Sequence, residues 1–181
     1  MKSTGVVRRI DDLGRIVIPK EIRKTLRIRD GESLEIFTDN EAITLKKFSV
    51  SNDLTEISQA LLDTVSNTIR KNMIVTDRDY VIAASGDLKK DFLGKPISKI
   101  LESYLLEREK VVKKEVELNQ ILEIETEGKE KYNYILFPIL ADGEAVGLVL
   151  MIEDHLDLSF SEEEKKIIKI VAQFLGKYIE E

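Results

Sequence analysis

Seven cationic side chains crowd residues 8–27: Arg8, Arg9, Arg15, Lys20, Arg23, Lys24 and Arg27. Guanidinium and ammonium groups at this density do one kind of chemistry well, which is to neutralise the closely spaced phosphates of a polyanion. Lys20, Arg23, Lys24 and Arg27 stand at i, i+3, i+4 and i+7, so a helix here places all four on one face. Arg8, Arg9 and Arg15 fall in flanking apolar segments. The pattern predicts a nucleic-acid-binding surface. The plainer reading is a solvated charged face, and Arg9 and Arg27 fit that reading too.

Other chemistry finds little support. There is no Cys, and the single His is His155. One chain therefore builds no disulfide, no thiolate zinc site, no His-rich metal cluster and no Ser-His or Cys-His catalytic arrangement. Gly94-Lys95 is followed by Pro96 where a phosphate loop needs Ser or Thr, and its spacing from Gly86 is wrong. Ser85-Gly86 lacks the flanking residues of a nucleophile elbow. His155, near Asp154 and Asp157, reads as a surface-loop histidine rather than a metal ligand. Lys89-Lys90, Lys113-Lys114 and Lys165-Lys166 balance neighbouring acids. We expect no enzymatic activity, no cofactor and no metal.

The elements that position the cations follow from local signals. Gly5 to Ile10 and Arg15 to Ile18 read as strands around an Asp11–Gly14 turn. Pro19 cannot donate to a ladder but suits the first turn of a helix, so the basic helix begins there. Ile22 and Leu26 form its buried stripe. After an Arg29-Asp30-Gly31 turn, Ser33 to Thr38 and Ala42 to Lys47 alternate as a hairpin closed by Asp39-Asn40-Glu41. A unit this small is marginal alone, and no Cys or metal staples it. The prediction is an obligate dimer with interleaved strands and a shared core of Leu34, Ile36, Ile43 and Leu45.

Charge is unevenly spread. Residues 1–50 carry eleven Lys/Arg against eight Asp/Glu, and residues 51–181 carry 17 against 26, giving nets of +3 and −9. A basic head of residues 1–50 thus precedes an acidic body of residues 53–181, and only the head suits a polyanion. The N-terminus lacks the apolar run of a signal peptide, and the longest apolar stretch, near Leu148 to Ile152, is too short to cross a bilayer. We expect a cytoplasmic, nucleoid-associated protein with no membrane partner.

Residues 2–26, from Lys2-Ser3-Thr4-Gly5 through Leu13-Gly14-Arg15-Ile16-Val17-Ile18-Pro19-Lys20 to Leu26, resemble the N-terminal domain of the AbrB-type transition-state regulators. The likeness continues through Leu34-Glu35-Ile36-Phe37 and Leu45-Lys46-Lys47. It implies a swapped-hairpin β-barrel dimer whose double-stranded DNA contacts correspond to Arg8, Arg15, Arg23 and Lys24. Lys24 is commonly Arg in that family, and a lysine keeps the phosphate contact while losing the bidentate fork that reads bases. Antitoxins of toxin–antitoxin pairs use the same fold.

The body reads as α+β. Asp53-Leu54-Thr55-Glu56 has the form of a capping box, and Leu54, Ile57, Leu61, Val65 and Ile69 give an amphipathic helix to about Arg70. Met73 to Thr76 and Tyr80 to Ala84 read as strands, Ile97 to Leu106 as a helix and Glu115 to Glu125 as a weaker strand. Tyr132 to Leu140 and Ala145 to Ile152 form a hairpin turning at residues 141–144. Ser161 and Glu164 open a last helix with the stripe Ile167, Val171, Phe174 and Tyr178. This order, with Gly86 to Gly94 and Gly147-Leu148-Val149-Leu150, resembles a GAF domain, an antiparallel sheet with flanking helices. That implies either an unidentified small-molecule ligand or a purely oligomerising role. The amphipathic helices could pair within a chain or join head dimers into a tetramer.

As a whole the chain is similar to transcription regulators of spore-forming bacteria, activators or repressors of sporulation genes. Two other classes stay open: an antitoxin-like protein whose acidic body wraps a toxin, and a ligand-binding or enzymatic domain for which the head is an address.

Overall fold

The computed structural model describes residues 5–31, 34–39, 42–47, 51–124, 130–157 and 159–180. The chain divides into two compact units, residues 1–49 and 50–181.

In the first unit Pro19 begins helix α1, Lys20–Thr25, and the hairpin pairs β1, Leu34–Asp39, with β2, Ala42–Lys47. The antiparallel register sets Ile36 opposite Leu45 and Thr38 opposite Ile43. The expected hairpin turn at residues 40 and 41 lies outside the described residues. Two expectations are corrected here. Residues 5–10 and 15–18 are not strands within one chain, and α1 buries none of its residues. Both have one physical cause: the chain offers these segments neither a ladder partner nor a core. Ile10, Ile16, Val17, Leu26, Ile36 and Ile43 are all more than half exposed.

The second unit is a five-stranded antiparallel sheet in the order β4-β3-β7-β6-β5. Its strands are β3, Asn72–Thr76, β4, Val81–Ala84, β5, Val111–Glu117, β6, Lys131–Ala141, and β7, Glu144–Glu153. Side chains alternate along each strand, and both faces are covered. Ile74, Leu148, Leu150, Tyr134 and Leu136 point to one core, shared with helices α3, Leu88–Phe92, and α4, Lys99–Glu107. Met73, Val75, Val149, Met151 and Ile135 point to the other, shared with α2, Ser51–Ile69, and α5, Glu162–Ile179.

Several boundaries differ from expectation. Helix α2 starts at Ser51, so Asp53 lies inside it and not at its N-cap. Strand β5 runs earlier than expected and ends at Glu117, because Ile121 and Leu122 are drawn into the core beyond it. Helix α3, five residues long, is too short for periodicity to predict. In α5 the Ser161–Glu164 capping box is present, but the buried stripe is Ile168, Val171, Ala172 and Leu175, leaving Phe174 and Tyr178 partly exposed.

Two polar links tie the sheet's ends together. Lys71 Nζ lies 2.5 Å from Glu153 Oε2 and 3.6 Å from Glu164 Oε1, joining the ends of α2 and β7 to the start of α5. Fully buried Asn133 accepts from the Glu115 N–H at 2.9 Å and donates to the Leu156 carbonyl at 2.9 Å. Glu115 has φ +52° at a bulge in β5.

Candidate nucleic-acid interface

The cationic segment is built around one tight turn. The Gly14 N–H donates to the Asp11 carbonyl at 3.0 Å, and the Asp11 N–H to the Arg15 carbonyl at 3.1 Å. Gly14 has φ +76°, a conformation that costs a glycine nothing. The Asp11 carboxylate closes the turn from the side-chain direction. Its Oδ1 accepts from the N–H groups of Leu13, at 3.1 Å, and Arg15, at 2.7 Å. Its Oδ2 accepts from Arg15 Nε at 2.8 Å. These bonds, first the Arg15 N–H and then its guanidinium, hold the Asp11 carboxyl below the ordinary aspartate value.

Arg8, Arg9, Arg15, Lys20 and Lys24 are exposed, and Arg23 and Arg27 are half-buried. Lys20, Arg23 and Lys24 lie on α1 as the spacing predicts. Arg27 does not. The helix ends at Thr25, the Arg27 N–H donates to the Lys24 carbonyl at 3.1 Å, and Arg27 takes φ +53°. Its left-handed backbone turns the chain away, so a shared helical face with Lys20 is corrected to a position beyond the C-terminal end. Arg23 reaches forward instead, pairing Nη1 with Asp30 in the turn after the helix. Sequence spacing gave no warning of the Asp11 and Asp30 pairs, which depend on turns rather than periodicity.

Cations of the body pair with its acids. Lys89 pairs with Asp63 at 2.9 Å and Arg78 with Glu144 at 2.8 Å. Glu153, Asp154 and His155 stand within metal-binding reach of one another, but Glu153 already serves Lys71. A shallow hollow of about 420 Å³ is lined by Glu130, Lys131, Tyr132, Asp154 and Leu156. There burial, followed by the hydrogen bond to Glu130, pushes the Tyr132 hydroxyl up to about 12. Across the α3–α4 face the interior is filled by Phe92, Ile121, Leu122 and Tyr134. No helix of the described residues is long and apolar enough to cross a membrane.

Comparison with solved structures places the body's architecture. A GAF domain/HD domain protein from Geobacter sulfurreducens superposes with a TM-score of 0.57 at 16% identity, covering 74% of this chain and 96% of that one. At that identity the likeness concerns the fold alone, and the fold is GAF. For the head, the B. subtilis transition state regulatory protein AbrB is 58% identical over 48 residues, which are 26% of this chain and 50% of AbrB. Residues 7–51 also match the family described as antidote-toxin recognition MazE, bacterial antitoxin. An AbrB-type head followed by a GAF-fold body defines a class, the two-domain transcription regulators.

Within that class the assignment is specific. Residues 53–180 match the family described as stage V sporulation protein T C-terminal, transcription factor. Stage V sporulation protein T of Bacillus subtilis (strain 168) is 40% identical over 182 residues, spanning 100% of both chains. The chain belongs to the stage V sporulation protein T family.

Proposed function

We propose that this chain is a non-enzymatic transcription regulator of sporulation genes, whose head binds double-stranded DNA through Arg8, Arg9, Arg15, Lys20, Arg23, Lys24 and Arg27. The observation that carries the reading is the cationic segment itself, with five of its seven side chains exposed around one turn and one short helix. Family membership supports it, as does the AbrB likeness of the head. The head works as an interleaved dimer, which would cover the apolar side chains that one chain leaves exposed. The body serves assembly or signal reception. For a small ligand, the hollow lined by Tyr132 and Asp154 is a candidate site. Such a protein works in the cytoplasm, at the nucleoid.

The antitoxin reading is weaker. A segment that wraps a partner gains its order from that partner, whereas residues 50–181 carry two cores of their own.

Binding to labelled duplex tests the proposal. Arg15→Ala and Arg23→Ala should each weaken affinity by about 5- to 50-fold while leaving the dimer intact. Affinity should also fall steeply with salt, each neutralised phosphate adding about −0.9 to the log–log slope. Unchanged affinity in both variants, or a salt-independent affinity, would refute the surface.

A further inference from the structure

Two of the arginines in the interface each meet a carboxylate, and the two encounters differ in kind. Asp30 touches Arg23 through Nη1, a terminal donor, and its side chain is 93% exposed. Nothing else in the described residues holds it. Such an exposed pair is weak and gives way to a competing anion. Asp11 is placed otherwise. Its Oδ1 is committed to the Leu13 and Arg15 N–H groups, so the carboxylate is part of the turn. Its Oδ2 takes only Nε of Arg15. The Arg15 side chain is 71% exposed, and its two terminal amino groups make no bond within the described residues. The guanidinium is thus gripped at its root with its fork open, the geometry that suits a phosphate.

We propose that Asp11 is a positioning residue for DNA binding, holding Arg15 by Nε so that its terminal donors face a backbone phosphate, whereas Asp30 is a displaceable counter-ion on Arg23. The proposal rests on the DNA-binding reading above. Its strength is a prediction of sign. Judged by charge alone, both acids repel DNA, and neutralising either should tighten binding. Judged by geometry, only Asp30 should behave so. Asp11→Asn keeps the Oδ1 acceptor that closes the turn and removes the Oδ2 acceptor that fixes Arg15.

The test uses the full chain and a fluorescein-labelled random-sequence duplex of roughly 30 base pairs, about three helical turns. Anisotropy titrations at several salt concentrations compare wild type, D11N, D30N, R15A and the D11N/R15A double variant. D30N should bind about two- to fivefold more tightly. D11N should bind about three- to tenfold more weakly despite the added positive charge, with the salt slope reduced by about 0.9. In the R15A background D11N should no longer weaken binding and should tighten it about as much as D30N does, because only the charge of Asp11 is then left to act. If D11N binds as well as wild type or better, Asp11 is only a charge and the proposal falls. A D11N loss that persists in R15A means general damage to the turn, and the proposal falls again. Should R15A itself bind undiminished, Arg15 makes no DNA contact and the proposal falls with it, while the DNA reading of the surface fails only if Arg23→Ala binds undiminished as well.

Discussion

At the scale of single residues, the body depends on a few polar side chains that burial would otherwise penalise. Burial disfavours the charges of Lys71 and Glu153 alike, yet their hydrogen bond outweighs it. The lysine is held above its ordinary value and the glutamate below. The signs follow from linkage. Glu153 contributes stability above its unfolded value near 4.5, and that contribution is lost as pH falls through the lowered folded value. Lys71 contributes below its unfolded value near 10.5, and its share is lost as pH rises through the raised one. Lys71→Met should cost about 1–3 kcal/mol at pH 7, because it strands Glu153 in a mostly buried site. Urea unfolding should show that cost shrinking toward pH 4, as the stranded carboxyl takes up a proton. Glu153→Gln should flatten the acid limb instead. A K71M penalty independent of pH would mean that only its packing matters.

At the scale of elements, the hairpins and long helices were legible because their signals are local. Pro19 marks the start of α1, the alternation of Ile43 and Leu45 marks β2, and Ser161 with Glu164 marks the start of α5. What escaped was set by partners elsewhere. Residues 5–10 and 15–18 have strand composition without a ladder in their own chain. The buried phase of α5 was ambiguous because Ile167, Ile168, Ile170, Val171, Phe174 and Leu175 surround much of the helix. Packing resolved it through Gly176, where a Cβ would meet the Leu140 carbonyl oxygen at 2.1 Å. Gly176→Ala should therefore push α5 off β6 and cost about 1–3 kcal/mol by thermal unfolding, although alanine is the better helix former. In the interface, the cationic positions were readable and their acidic partners were not, since a tight turn and a reach from Arg23 to Asp30 leave no periodic trace. The head also permits a test in isolation. Residues 1–50 should sediment as a folded dimer, and Ile36→Asp should abolish folding and association together. A folded monomer would end the interleaved reading.

At the scale of the whole molecule, a basic head and an acidic body share one chain, so binding to polyanions and crowding of charge are separated along the sequence. If the body adds contacts between chains, the full protein should sediment as a larger species than the head dimer. Phe174→Ser, at a partly exposed site on α5, should reduce it to the dimer without unfolding it. The body's sheet has a further consequence, which concerns what it will not do. The outer side of β4 is occupied, since the Val81 N–H donates to the Lys95 carbonyl at 2.9 Å and the Gly94 N–H to the Val81 carbonyl at 2.8 Å. Strand β5 is the other edge. It carries Lys113 and Lys114, and it bends at Glu115, whose N–H is spent on Asn133. A bent, charged edge with its donor turned inward is a poor template for a strand from another molecule. Lys113 and Lys114, with the bulge that Asn133 braces from the inner side, thus leave this edge ill-suited to growth by strand addition.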